Sequence, residues 1–390
     1  MRRDAAPLPL LPLAAAATTL VSAHAVAAEW SLAPSGQVYS QAEQNPRFGD
    51  DDKEIVTAIG ARASLQMQRR TEHLLISVQP TVGMQRYQQD TDLDRNNQDI
   101  QSKFNWQGEH VSWRGSASAA RDTTLTSELG TTGFTQVNQR HESIDASMGP
   151  VWQLSERLAT GATAAWERNR YPARDNSPLV GSRYSRLSTF LSYTLDERTS
   201  LTFSGSVARL DSYGPRPQTD TRSVRLQWSR VLSPYWTTSL AAGPSWARTE
   251  HGSSERGLLY SAEIARILEH ASLSLSVSRG QSPSGFGLLT NVEEAAFAFS
   301  QQFSERLSGS VTIGASRRTD VLPALRADLR EVRYGRADVS VAWRLNPRWQ
   351  LSGGVAHTVQ QAGLDAFGYD TARGYQVRLA IGWYGDAHVR

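Results

Sequence analysis

The sequence predicts an all-β chain that closes into a transmembrane antiparallel β-barrel of 18 strands. Three observations predict it: apolar and polar residues alternate with a period of two, short polar turns recur every 35 to 42 residues, and tryptophans gather near those turns. The mean hydropathy is −0.44, and no internal stretch approaches the ~20 apolar residues that a spanning helix requires. Cysteine is absent from the 390 residues, which excludes disulfides and thiolate metal sites.

The first segment has the pattern of an export signal. Arg2 and Arg3 precede an apolar run, and Ala25 to Ala28 include small residues that suit a signal peptidase. We therefore expect a cleaved signal peptide at 1–28, followed by a single barrel domain at 29–390. A cysteine-free export product of a Gram-negative bacterium is expected to be periplasmic, outer-membrane or secreted, and the barrel pattern selects the outer membrane.

The strands are predicted from the two-residue alternation. Leu273, Leu275 and Val277 alternate with serines, and Val377 and Leu379 alternate with polar or small residues near the C-terminus. A transmembrane barrel strand needs about 10 such residues. A propeller is rejected because each period holds only two long strands, and a soluble sandwich because the second face is too small and polar to form a core.

The short turns set the strand count. Bulky residues followed by tight polar turns stand at 154–158, 195–198, 232–236, 268–271, 303–307 and 345–349, with weaker copies at 69–72 and 107–110. Eight turns join sixteen strands, and end strands near 30–40 and 371–384 make eighteen; sixteen is the alternative if the end strands are misread. An even count leaves both termini on the periplasmic side. Longer polar connections at the other end include 41–52, 88–98, 123–140 and 172–182.

Tryptophan placement supports a membrane barrel independently. An indole ring satisfies both its apolar body and its N–H at a membrane interface. The exceptions near the long connections are Trp166 and Trp246. The residues that we expect to form a girdle at the short-turn end are Trp30, Trp106, Trp113, Trp152, Trp228, Trp236, Trp343, Trp349 and Trp383.

The export signal, the turns of the Leu-Ser-Glu-Arg-Leu and Leu-Asn-Pro-Arg-Trp type and the length together resemble a known group. It is the outer-membrane β-barrel porin family encoded beside exopolysaccharide and exosortase loci of proteobacteria. The resemblance covers the mature chain and implies a conduit for secreted polysaccharide. The chain departs from many outer-membrane barrels in that its last residue is Arg390 rather than an aromatic one.

Charged residues on the polar face of the strands are the candidate site. Rings of charge set ion preference in pores, so a basic excess predicts a lumen that favours acidic sugars. The alternative is that the charges pair across strands and only hydrate the wall. The acidic residues expected on this face are Asp122, Asp145, Glu263, Glu294 and Asp338. The basic residues expected there are Arg62, Lys103, Arg114, Arg186, Arg225, Arg318, Arg336, Arg344 and Arg378.

The function expected from these features is an outer-membrane channel for export of an extracellular polysaccharide, passive or gated by periplasmic partners. The alternatives are a general or solute-selective porin for small hydrophilic molecules, and a barrel without a transport role. The connections 123–140 and 362–372 are candidates to plug the pore. We expect no enzymatic activity, cofactor, metal or nucleic acid. The expected partners are outer-membrane lipid and lipopolysaccharide, the polysaccharide cargo, and periplasmic export or copolymerase proteins.

Overall fold

The computed structural model describes residues 28–48, 54–129, 138–172, 177–214, 216–250, 252–321, 331–362 and 371–389. Cleavage of the signal peptide stays a prediction, since 1–27 lie outside these ranges. Within them the chain is nearly all β, with one short helical turn at Thr124–Ser127 and another at Thr91–Leu93. No helix in the described ranges has the length and hydropathy needed to cross a membrane.

Eighteen long strands follow one another along the chain, and a two-residue strand, β19, ends it. The strands are β1 (Glu29–Gln44), β2 (Ile55–Arg70), β3 (Leu74–Tyr87), β4 (Arg95–Gln107), β5 (Val111–Thr123), β6 (Arg140–Gln153), β7 (Leu158–Arg170), β8 (Ser182–Asp196), β9 (Thr199–Ser212), β10 (Thr219–Ser233), β11 (Trp236–Thr249), β12 (Ser254–Ile267), β13 (Ala271–Pro283), β14 (Leu289–Gln302), β15 (Leu307–Asp320), β16 (Val332–Asn346), β17 (Trp349–Ala362), β18 (Ala372–Tyr384) and β19 (His388–Val389).

Each of the eighteen long strands pairs antiparallel with its sequence neighbours, β1 closes the barrel by pairing with both β2 and β18, and β19 pairs with the start of β1. At the closure Val38 lies opposite Ile381, and Gln37 lies opposite Gly382. Closure leaves no unpaired sheet edge among the eighteen strands, which is the condition for a sheet to stand in lipid. The predicted closed antiparallel barrel of eighteen strands is confirmed.

All eight short turns fall at one end of the barrel, which we name the turn end; the longer connections lie at the loop end. Side-chain oxygens stabilise the turns by accepting backbone N–H groups, as expected for Ser, Asn and Asp in tight turns. Asn346 Oδ1 accepts from the N–H groups of Arg348 (2.9 Å) and Trp349 (3.0 Å). Ser304 Oγ accepts in the same way from residues 306 and 307. The turn sequences therefore specify local geometry.

The two faces of the sheet differ as the alternation predicts. Large apolar side chains stand exposed on the outside, among them Leu379 (63 % exposed), Val82, Leu226 and Val355. An apolar exterior of this extent has the character of a lipid-facing barrel wall. The alternate residues face the lumen and are mostly Ser, Thr, Gly and charged residues, and Ser116 and Ser147 hydrogen-bond directly across two strands.

The structure extends some strands beyond the predicted bounds. β1 continues to Gln44 and β4 starts at Arg95, although 41–52 and 88–98 were expected to be connections. The strands outrun the apolar band there, so both faces are polar and the period of two is lost from the sequence. The connection proposed as a plug at 362–372 falls largely outside the described residues.

Candidate functional site: the lumen and its inward loops

The nine basic residues singled out from the sequence all lie on the face opposite the apolar exterior. Arg62 pairs with Gln37, Lys103 with Ser77 and Ser116, and Arg225 with Ser204. The remaining members of that face are Arg114, Arg186, Arg318, Arg336, Arg344 and Arg378. The five acidic residues, Asp122, Asp145, Glu263, Glu294 and Asp338, share it. Their effect on solute choice stays a prediction.

The register adds charged residues that the sequence patterns missed. Glu43, Asp99, Glu167, Glu255 and Asp320 join the acidic set, and Arg95 joins the basic set, which brings the number of acidic residues on this face level with the number of basic ones. Glu43 and Arg95 were missed because they lie in segments expected to be connections. Asp99 and Glu167 alternate correctly, so a complete count of each strand face would have found them.

Some of the charged residues in the lumen are paired with each other, as expected if the charges only hydrate the wall. Arg336 donates to both carboxylate oxygens of Asp338 at 2.8 Å, which is the bidentate geometry of a strong pair. The Glu43 carboxylate accepts from the Tyr87 hydroxyl (2.7 Å) and from Gln376 Nε2 (2.7 Å). These charges stabilise the wall and are not available to a solute.

Other basic groups have no such partner. The described residues place no carboxylate in ion-pair contact with Lys103, Arg114 or Arg225. Arg186 donates to the Tyr184 hydroxyl (2.6 Å), a neutral acceptor, and its charge acts repulsively on that of Arg225. Lys103, Arg114 and Arg225 therefore carry positive charge without an ion-paired carboxylate among the described residues. Asp145 on β6 and Glu167 on β7 lie between them on the same wall, and the Glu167 charge attracts that of Arg186.

A second positive group lies near the barrel closure. Arg378 stacks over the Tyr39 ring at 3.8 Å from its centroid and donates to Gln37 Oε1 at 3.0 Å. The positive charge of Arg62 repels that of Arg378. The carboxylate of Asp99 lies 3.8 Å from the Arg62 guanidinium. This contact is longer than a hydrogen bond, so Asp99 compensates Arg62 only weakly.

The connection after β5 folds into the lumen. Its residue Leu125 is only 5 % exposed and packs with Val56, Ala58 and Tyr87, which are inward-facing residues of β2 and β3. The segment 124–129 also lines a cavity of about 510 Å³ together with Arg318 and residues of β14, β16 and β18. β15 lies about halfway round the barrel from β5, so the segment crosses the lumen.

The connection between β13 and β14 folds inward from another direction. Phe286 and Leu288 are buried, and a hairpin closes where Gly287 donates its backbone N–H to the carbonyl of Ser284 at 2.9 Å. Gly287 has a φ of 70°, in the left-handed region that favours glycine. The carbonyl of Gly285 accepts from the N–H of Val180 at 2.8 Å. This bond links the hairpin to the connection after β7.

The two inward segments meet at Glu128 and Gly285. A Cβ at position 285 would lie 2.6 to 2.9 Å from the Glu128 carboxyl atoms, so only glycine fits without movement. The Tyr171 hydroxyl donates to Glu128, and the Tyr171 ring stacks on His141 at 4.9 Å between centroids. His141 is held by Asp122, with 2.8 Å between Nδ1 and Oδ1. A buried polar chain thus anchors the first inward segment to the wall.

The girdle tryptophans lie on the exterior face toward the turn end. Trp106 lies directly opposite Trp113, and Trp349 opposite Trp383. Trp30 and Trp236 each carry an arginine over the ring. Trp152, Trp228 and Trp343 occupy equivalent outward positions. Contact of these rings with a membrane interface stays a prediction.

In comparisons with known proteins, no protein-family model and no curated protein matches the chain. Solved structures that resemble it include OccAB4 of Acinetobacter baumannii, at 8% identity and a TM-score of 0.48 over 93% of this chain and 99% of that one. OccK2 (OpdF) of Pseudomonas aeruginosa in complex with glucuronate gives 10% identity and 0.48 over 92% and 98%. The siderophore receptor PirA of Pseudomonas aeruginosa gives 13% and 0.42 over 90% and 80%.

Proposed function

We propose that the chain is an outer-membrane channel for small hydrophilic solutes, that it favours acidic ones, and that its two inward segments narrow the passage. The observation that carries this proposal is a polar lumen with basic side chains that lack carboxylate partners, beneath segments 124–129 and 284–288. A barrel of eighteen strands encloses a lumen too wide for its side chains to fill. The inward segments therefore set the width that a solute meets.

The exterior of the barrel supports the proposed location in an outer membrane. An apolar band with aromatic residues toward the turn end is the surface of a barrel in an outer membrane. In that setting the turn end faces the periplasm and the loop end faces the outside. The lumen gives no support to polysaccharide export, because one segment crosses it and a second folds into it from the loop end. Polysaccharide export, which the family resemblance implies, is a separate outcome that the experiment with added solutes distinguishes.

The test is the reversal potential of the refolded protein in a planar bilayer under a KCl gradient. Wild type is expected to be anion-selective, because the field of unpaired basic residues raises the local anion concentration. Arg186→Gln with Arg225→Gln should move the reversal potential toward the cation side. Arg336→Gln with Asp338→Asn is the matched control, since it also removes two charged groups but leaves the net charge of the lumen unchanged.

The current in the presence of added solutes separates the functions. Transient block by glucuronate, with little effect of neutral glucose, supports the proposal. Block only by long acidic oligosaccharides would favour polysaccharide export. A cation-selective pore, or equal shifts in the double variant and its control, would refute the proposed selectivity.

A further inference from the structure

The exterior of β10, β11 and β12 changes character sharply at the loop end. Leu226 on β10 and Leu258 on β12 are exposed apolar residues of the band. Toward the loop end the outward face becomes a row in which Arg222, Trp246 and Arg256 lie directly opposite one another. Trp246 is exposed and is one of the two tryptophans away from the turn end. The row therefore marks the upper boundary of the apolar band on three adjacent strands.

A third arginine completes the group. Arg248 follows Trp246 on the same face of β11 and lies opposite Asp220. Both oxygens of Asp220 are taken by Arg209, with Nε–Oδ1 at 2.8 Å and Nη2–Oδ2 at 3.3 Å. Within the described residues, none of Arg222, Arg248 and Arg256 forms an ion pair with a carboxylate. We name these three residues the arginine patch.

Three other outward arginines at the loop end are compensated. Arg183 lies 3.7 Å from Asp211, Arg279 lies 3.5 Å from Glu293, and Arg317 lies 2.9 Å from Glu331. The arginine patch differs from these three pairs in that none of its members has a carboxylate at ion-pair distance within the described residues. It borders a groove of about 700 Å³ that runs beside Trp246 and is also lined by Asp220, Glu250 and Glu255.

We propose that the arginine patch binds the phosphate groups of lipopolysaccharide in the outer leaflet. Arginine pairs with phosphate in a bidentate manner and is less strongly hydrated than lysine, which suits an interfacial site. The depth identifies the phosphate as lipid-borne, because the patch lies directly beyond the apolar band and beside an interfacial tryptophan. Acyl chains would lie along Leu226 and Leu258 while the phosphorylated sugars fill the groove. This inference rests on the proposed outer-membrane placement.

The experiment compares lipid A with dephosphorylated lipid A for binding to the folded protein in detergent micelles, measured by native mass spectrometry. Wild type should prefer the phosphorylated lipid by about tenfold or more, since each charged hydrogen bond contributes measurably. The triple variant R222Q/R248Q/R256Q should lose this preference. The control variant R183Q/R279Q/R317Q, with the same charge change at the same end, should retain it.

The outcomes separate this inference from the channel function. A wild type without the preference, a triple variant that keeps it, or a control that loses it equally would overturn the site. Displacement of lipid A by inorganic phosphate at comparable concentration would show a site for free anion instead, which also overturns it. If the triple variant fails to fold, R222Q and R256Q alone should each reduce the preference about threefold. Conductance of the same preparations reports on the channel separately.

Discussion

Burial of Leu125 is one of the contacts that hold segment 124–129 in the lumen, and truncation of this side chain gives the sharpest prediction about the constriction. Leu125 is 5 % exposed in an apolar cluster, and replacing a buried leucine with alanine costs about 2–3 kcal/mol where the site relaxes partly. The barrel strands do not depend on this contact, so the cost falls on docking of the segment. At about 1.4 kcal/mol per factor of ten, the ratio of undocked to docked segment rises roughly 30- to 150-fold.

The assay is single-channel recording of the L125A variant. We expect the ratio of time in a larger-conductance state to time in the smaller one to rise by that factor. Leu258→Ala is the matched control, because it makes the same chemical change on the exterior, where the side chain touches no inward segment. If folded L125A barrels, recognised by their heat-modifiable electrophoretic mobility, gate like wild type, the assignment of segment 124–129 as the constriction is wrong.

Three further predictions concern the anchor and the exterior. Burial, and then the negative charge of Glu128, raises the pKa of Tyr171, so the docked segment keeps the phenol protonated. Stability from this contact is therefore present below the ordinary tyrosine pKa of about 10 and is lost as the pH rises above it. Larger-conductance events should increase above that pH, and the increase should be smaller in Tyr171→Phe, which has no phenol to ionise. Gly285→Ala should also increase these events. Its effect should be less than additive with that of Glu128→Ala, because both substitutions act through one contact. Fully additive effects would exclude that contact. Trp349→Ala should lower the unfolding free energy in urea by about 1 kcal/mol by removing the cross-strand pair with Trp383, and no change would remove the pair from the account.

The architecture was predictable because a strand in a barrel wall has two different solvents on its two faces. Alternation such as Leu273 and Leu275 against serine identifies both the strand and its outward side. The turns at 304–306 and 346–348 repeat because a side-chain oxygen must accept the N–H groups of a tight turn. These signals are local, and they fixed the eighteen strands and the orientation of the lumen residues.

The constriction was not predictable to the same degree. The length of 123–140 indicated a candidate plug. The role of Leu125, however, depends on its packing against Val56 and Tyr87, which are distant in sequence. The contact of Glu128 with Gly285 joins connections more than a hundred residues apart. No periodic pattern in the sequence marks such contacts, because they form only when the barrel closes and brings the connections together.

The charge balance of the lumen was predicted only in part for a related reason. Arg95 and Glu43 lie where strands extend past the apolar band, and the alternation that marks a strand is lost there. Pairing also decides which charges act on a solute. Arg336 and Arg225 look equivalent in sequence, yet Asp338 compensates the first, while the described residues offer the second no carboxylate.

The most direct test of a narrowed, acid-preferring channel is uptake into liposomes that contain the refolded protein. Glucuronate and glucose have nearly the same size, so a difference between their rates reports the charge of the lumen. The account predicts faster entry of glucuronate than glucose, loss of that difference in R186Q/R225Q, and exclusion of longer oligosaccharides of either charge. Equal rates for the two monosaccharides, or free passage of long oligosaccharides through the wild type, would contradict it.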